Sequence, residues 1–297
     1  IATSPTNAFG FKNRIINGAM EIWQRGTSFT SAGSATYAAD RFFGNASSGT
    51  LSRSTDVPAG LFKYSFRNDA SSTAFPGITQ RIESVNIADC ASKAITVSFY
   101  AKQLSGTASA LNINLGYPTA VDNYSSSTTI VETNVVAAMS TWARYSYTYT
   151  LPANVANGLS VTLFVPSASV TGIFQITGIQ VEKGSTATSF DYRPYTTELQ
   201  LCQRYYYRTT SLPLGYIINV ADLYAGSVKF PVTMRTTPTL DSSGNSWAVT
   251  GGSAGTVGLR SGTGWGPNSD QAVTYNASSN WSAGNAAALT AGFSSEL

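Results

Sequence analysis

Tryptophan set among small polar residues can stack sugars, and this chain carries that pattern near its end. Trp265 sits in SGTGWGPNSD with Asn268 and Asp270 just behind it, a run too rich in Gly and Pro to be core strand. Trp281 stands in a similar polar setting, NASSNWSAGN, and Tyr275 lies between the two. An aromatic ring offers its face to the apolar C–H side of a pyranose, while nearby amide, carboxylate and backbone groups hydrogen-bond the hydroxyls. The competing role for each Trp is to pin a small β-loop or fill an interface between subunits. Trp247, in SWAV, reads as a strand residue.

Other chemistries are thinly supplied. There is no histidine among the 297 residues, which removes Ser-His-Asp and Cys-His nucleophiles, His-ligated zinc and haem, and the commonest neutral-pH base. Cys90 and Cys202 make neither a CxxC redox motif nor a metal-ligand spacing, and read as free buried thiols. Paired carboxylates could hydrolyse a glycoside without histidine. Here Asp222, Asp241 and Asp270 are scattered, so no catalytic residue is assigned and a non-enzymatic protein is expected.

Charge is sparse. Asp, Glu, Lys and Arg make up 11% of the chain, against roughly 25% in ordinary soluble domains. Solubility must come from Ser, Thr, Asn and Gly, which suits a surface outside cells or an obligate oligomer. The net charge of +3 contains no basic tract, so nucleic acid is not an expected partner. Apolar runs are strand-sized, well below the roughly 20 residues of a membrane helix, so membrane insertion is not expected. The opening IATSPTNAFGFKNR lacks the order of a signal peptide, and a start at Ile1 reads as a trimmed piece of a longer protein.

The elements that must position any site are strands. AITVSFYAK puts Ile95, Val97, Phe99 and Ala101 on one face; Leu111, Ile113 and Leu115 repeat the pattern, as do Leu159, Val161, Leu163 and Val165. Tyr145, Tyr147, Tyr149 and Leu151 form another face, and Trp23 reads as structural in an early strand. Phe174 and Ile176 are out of phase with Ile179 and Val181, and Gly178 between them predicts a β-bulge. Val228, Phe230, Val232 and Met234 alternate inward, with Pro231 marking an edge or bulge. One helix is predicted, Glu198–Tyr206, from the Thr197/Gln200 capping box and a face of Leu199, Cys202 and Tyr206. The Tyr205, Tyr206, Tyr207 cluster beside it is expected to pack.

Several short motifs follow one another along the chain: Asn17-Gly18 with Trp23-Gln24-Arg25-Gly26, then Asp40-Arg41-Phe42, then Gln80-Arg81-Ile82-Glu83. Later come Gln180-Val181-Glu182-Lys183-Gly184, Phe190-Asp191-Tyr192-Arg193-Pro194 and Leu201-Cys202-Gln203-Arg204-Tyr205-Tyr206. Phe230 to Arg235 with Thr237-Pro238 closes the series. Together, in their order and spacing, they resemble the carbohydrate-binding-module-like jelly-roll domain of bacteriophage tail-fibre and virion appendage proteins. The resemblance covers about Asn13 to Pro194 and extends through Arg235; the final stretch lies outside it.

The resemblance implies an all-β protein: a jelly-roll β-sandwich, a short connector helix and a second small β-domain. The expected boundaries are 1–12 for an extended segment, 13–195 for the jelly roll, 196–208 for the connector and 209–297 for a C-terminal receptor-contact domain. It implies a non-enzymatic virion part, a tail-fibre or receptor-binding appendage contacting host surface glycan. The alternatives are a capsid decoration or head-fibre protein and, further off, a glycan depolymerase. The implied partners are the chain itself as a homotrimer, other virion proteins and a host glycan or receptor, with assembly in the host cytoplasm and exposure on the virion. No cofactor is implied beyond a structural calcium, for which Glu21, Glu182 and Asp191 are the candidate ligands. Ala19 stands where relatives often carry an acidic residue.

Overall fold

In a computed structural model the alternating segments of the first two-thirds of the chain pair into antiparallel sheets whose inward residues share one core. The structure describes residues 11–31, 36–45, 48–73, 75–106, 110–136, 140–167, 170–216, 225–241, 246–249, 257–259, 271–276 and 286–297. The chain divides into two units, Ile1–Tyr195 together with Leu297, and Thr196–Glu296.

The first unit is a jelly-roll β-sandwich. Its strands are β1 (Ser28–Ser31), β2 (Thr36–Tyr37), β3 (Phe43–Asn45), β4 (Gly49–Ser54), β5 (Ser65–Thr73) and β6 (Gly77–Ile82), followed by a one-turn helix α1 (Ser84–Ile87). Then come β7 (Ala94–Gly106), β8 (Leu111–Ala120), β9 (Asn123–Val136), β10 (Ala143–Thr150), β11 (Leu159–Phe164) and β12 (Val170–Lys183). One sheet runs β1-β4-β5-β12-β7-β10 and the other β2-β3-β6-β11-β8-β9.

The period of two decides which side chains reach the core between these sheets. The inward residues of β8 are Leu111, Ile113 and Leu115, those of β11 are Leu159, Val161 and Leu163, and all six are at most 3% exposed. Ile95, Val97, Phe99 and Ala101 of β7 are buried in the same cluster. Burial of each large side chain of this kind contributes about 1.5–3 kcal/mol. Tyr145, Tyr147 and Tyr149 on β10 lie opposite Phe99, Val97 and Ile95 and pack, partly buried, on the same core.

The phase break in β12 is a bulge. Thr177 pairs with Tyr100 but Gln180 pairs with Ser98, so one extra residue is accommodated there, and Gly178 takes a φ of +62°. Phe174, Ile176, Ile179 and Val181 all reach the core as a result. A Cβ on Gly178 would meet Phe62 Cζ at 2.4 Å. Gly178→Ala is therefore expected to destabilise the fold by about 2 kcal/mol or more. A urea midpoint equal to that of the unsubstituted protein would refute this.

Asp56 follows β4 and is bonded from two other segments. Lys102 Nζ donates to its Oδ2 and Trp142 Nε1 to its Oδ1, both at 2.8 Å. Burial alone would raise the carboxyl, but these bonds and the charges of Lys102 and Arg67 outweigh it and hold the pKa below the usual carboxylate value. A lowered folded-state pKa contributes stability above the unfolded value, near 3.9, which is lost as pH falls through the folded one. Asp56→Asn should flatten this part of the acid limb, read by urea unfolding between about pH 2 and 6. An unchanged acid limb would count against it.

The second unit follows the boundary at Tyr195, where α2 (Tyr195–Gln203) begins. After it come β13 (Tyr206–Tyr216), β14 (Ala225–Lys229), β15 (Thr239–Leu240), β16 (Ser246–Val249), β17 (Val257–Leu259), β18 (Gln271–Asn276) and β19 (Ala286–Ser294). Its sheets run β13-β19-β15, with β16 also on β19, and β14-β18-β17. The helix starts at Tyr195, ahead of the expected Glu198, and stops before Tyr206, which opens β13 opposite Ser294. Aromatic residues favour a pleated, half-buried surface, and the tyrosine run joins the sheet instead of the helix. Tyr205 and Tyr206 are buried, and Tyr207 packs against Phe230 and Phe293. The β14 strand ends at Lys229, short of Pro231, which has no N–H to give a ladder. Val228, Phe230 and Met234 are buried and Val232 only partly. Both cysteines are buried, and no disulfide joins them.

Candidate functional site

The opening segment, residues 11–27, runs as a strap along β12, where its motif residues meet those of the stretch that follows β12, residues 184–194. Beyond the end of its pairing with β5, β12 is bonded by the opening segment: Arg14 N–H donates to Val181 O at 2.8 Å and Ile179 N–H to Gly18 O at 3.0 Å. Asn13 Nδ2 donates to Ile179 O at 3.1 Å, while its Oδ1 accepts from Ile15 N at 2.9 Å and Val181 N at 3.0 Å. Arg193 donates to the carbonyls of Ile15 and Asn13. Gln80 acts as a surrogate peptide, accepting from Ile16 N and donating to Ile16 O, each at 2.8 Å. Asp40 accepts from Gln24 N at 2.9 Å and lies 3.9 Å from Arg25. These groups hold the strap, and their chemistry is spent on doing so.

Trp23 belongs to this strap and not to a strand. Asn17 and Met20 take φ of +60° and +58°, which turns the chain there, and Trp23 Nε1 donates to Met20 O at 2.7 Å while its ring stacks on Phe66. The calcium candidates lie in the same region. Glu182 accepts from Thr188 N at 2.8 Å, Thr188 Oγ1 at 2.7 Å and Gln180 Nε2 at 2.8 Å. Asp191 Oδ2 accepts from Lys12 N at 2.6 Å and Asn13 N at 3.2 Å. Oxygens that face N–H and O–H donors do not present the oxygen shell of a hard cation. Glu21 is half-buried, and among the described residues no group of three or more Asp, Glu or Cys side chains is placed to hold a metal.

A cleft of about 490 Å³ opens on the outer face of the second sheet. It follows from what each strand leaves outside once its apolar residues turn inward. β6 contributes Gly77, Thr79 and Arg81, β11 contributes Ser160, Thr162 and Phe164, and β8 and β9 add Asn114, Ser127 and Thr129. Register sets these in rows. Phe43 lies opposite Thr79, Thr79 opposite Thr162, Thr162 opposite Asn114 and Asn114 opposite Glu132. The Thr79 and Thr162 hydroxyls are hydrogen-bonded at 2.9 Å, and Asn114 Nδ2 donates to Glu132 at 3.1 Å.

Aromatic rings bound this polar floor. Phe164 lies across from Gly77, where a Cβ would stand 2.6 Å from Phe164 Cβ, and Phe75 meets Phe164 edge-on at 6.3 Å. Phe43 and Tyr124 flank the Arg81 guanidinium at 5.0 and 5.1 Å from their ring centres. Tyr124 donates its hydroxyl to Ile82 O at 2.8 Å. Burial and then the Asp122 charge push its phenol well above the usual tyrosine value, so it is neutral at any physiological pH. Rings at the walls and hydroxyl and amide groups on the floor form a surface that can stack pyranoses and hydrogen-bond their hydroxyls.

Trp265, Asn268, Asp270 and Trp281 lie outside the described residues, as does Asp222. Tyr275 is in β18, its backbone opposite Ala225 and Gly258. Of the cleft residues only Arg81 is named from sequence, as part of the Gln80-Arg81-Ile82-Glu83 motif and with no binding role. The one signal of the others was outward phase between inward apolar residues, in Asn114, Ser160, Thr162 and Phe164.

No family model and no curated protein matches the chain. Among solved structures it is similar to the enzymatically active domain of bacteriophage CBA120 tailspike protein 4, with 18% identity and a TM-score of 0.40 over 58% of this chain and 21% of that one. It is similar to the CBM22-1 xylan-binding domain of Paenibacillus barcinonensis Xyn10C, with 16% identity and a TM-score of 0.36 over 54% of this chain and 94% of that one. A family 22 carbohydrate-binding module of Clostridium thermocellum Xyn10B gives 15% identity and a TM-score of 0.37, over 55% and 98%.

Proposed function

We propose that the first unit binds a saccharide chain in the cleft of the second sheet, and that the protein is a non-enzymatic attachment part of a phage particle. The observation that carries the binding is the cleft itself, with Phe43, Phe75, Phe164 and Tyr124 around a floor of Thr79, Ser160, Thr162 and Asn114. Glycoside hydrolysis ordinarily needs two carboxylates roughly 5–9.5 Å apart, and binding without turnover is the reading proposed because the candidate carboxylates Asp222, Asp241 and Asp270 are scattered in the sequence. The phage assignment, the homotrimer and the host-surface role rest on the motif resemblance and on a charge-poor composition. A further contact through Trp265, Tyr275 and Trp281 belongs to the second unit and is testable apart from the cleft. No cofactor enters this reading.

The test is affinity electrophoresis of the whole chain through gels containing polysaccharides, alongside an assay for new reducing ends. Retardation without reducing-end release is the expected result. Release of reducing ends would replace it with a depolymerase. Antibody label at fibre tips on intact particles is expected; label spread over the head would make the protein a capsid decoration.

A further inference from the structure

Resting on the cleft as the saccharide site, we infer that it selects acidic saccharides, binding a sugar carboxylate at Arg81 beside Phe43. Arg81 is the one charged residue among those lining the cleft. Arg14, Arg25, Arg67, Lys102 and Lys183 each pair with an aspartate. Arg81 pairs with no aspartate or glutamate among the described residues. Its bonded partners are the Phe43 and Tyr124 rings and the main-chain oxygen of Leu297, the last residue of the sequence, to which Nη1 donates.

The site is built to hold this cation in place. Its backbone carbonyl accepts from Arg41 Nη2 at 2.6 Å, and Arg41 is itself buried, at 2% exposure. Two rings flank the guanidinium, and part of its five-donor fork remains for an anion. The nearby acidic groups are otherwise engaged. Asp122 accepts from Ser84 N at 2.6 Å and Ser84 Oγ at 2.9 Å. Glu132 lies three strands from β6, about 14 Å at the usual strand spacing, and accepts from Asn114. A ligand would thus meet the Arg81 guanidinium at one end of the cleft and a floor without charged groups beyond it.

The test compares polygalacturonate and hyaluronan with their carboxyl-reduced forms, and adds neutral xylan, in affinity electrophoresis of the whole chain. At least one acidic polymer is expected to bind about tenfold or more tightly than its reduced form, as a charge-assisted hydrogen bond allows. Arg81→Gln should abolish that preference, and Arg81→Lys should keep part of it. Circular dichroism of each variant checks that the fold survives. Reduced or neutral polymers binding as well as the acidic ones would overturn the inference and leave the saccharide reading standing. A preference that survives in Arg81→Gln would also overturn it. Retention of none of these polymers by the unsubstituted chain would overturn both.

Discussion

Phe164→Ala is expected to weaken saccharide retention about thirtyfold while leaving the fold nearly as stable. Phe164 ends β11 facing outward, with Leu163 and Val165 on either side of it buried in the core. Its ring meets Phe75 and its backbone pairs with Gly77, so removal strips one wall of the cleft without opening the sandwich. Loss of a stacking face and its buried area is worth roughly 2 kcal/mol, which is about thirtyfold in affinity. The measurement pairs affinity electrophoresis with urea unfolding. Unchanged retention would remove the cleft from the proposal. A large loss of stability would instead mean that Phe164 is part of the core.

Much of the sandwich was legible in the sequence because its cause is local. A strand with one buried face must alternate, and Leu111, Ile113, Leu115 and Leu159, Val161, Leu163 do so without exception. Gly178 was legible for the same reason: a phase break with a glycine in it has few other solutions than a bulge. The cleft was not legible, because concavity depends on which strands become neighbours. Gly77 and Phe164 are far apart in the chain, yet their pairing creates a wall. The strap was hidden similarly. Gln80 and Arg193 stood in motifs with no chemistry assigned, Asp191 was a candidate calcium ligand and Asn13 only marked the start of the resemblance; the partners of all four include main-chain groups of distant segments. Sequence reasoning looked for sugar chemistry where tryptophans stood in polar stretches, which lie outside the described residues; the cleft proposed for it is lined by phenylalanine and tyrosine instead.

Asn13→Ala should be the most destabilising polar substitution in the strap. Asn13 is 3% exposed, and its side chain serves the Ile179 carbonyl and the Ile15 and Val181 amides. Alanine leaves three buried main-chain groups without those partners, each worth about 1–3 kcal/mol when unmet. Local relaxation offsets part of this, so a loss of about 3–5 kcal/mol is expected, or roughly 6–15 °C in melting temperature for a unit of this size. Asp191→Asn is the comparison: it removes a charge but keeps an oxygen to accept from the Lys12 and Asn13 amides, and should cost about 1 kcal/mol. Below the melting transition, saccharide retention by Asn13→Ala should match that of the unsubstituted protein, because the Asn13 side chain bonds to Ile15 and to β12, whereas the cleft lies on the outer face of the other sheet. If Asn13→Ala melts within about 2 °C of the unsubstituted protein, the strap is not what closes the sandwich.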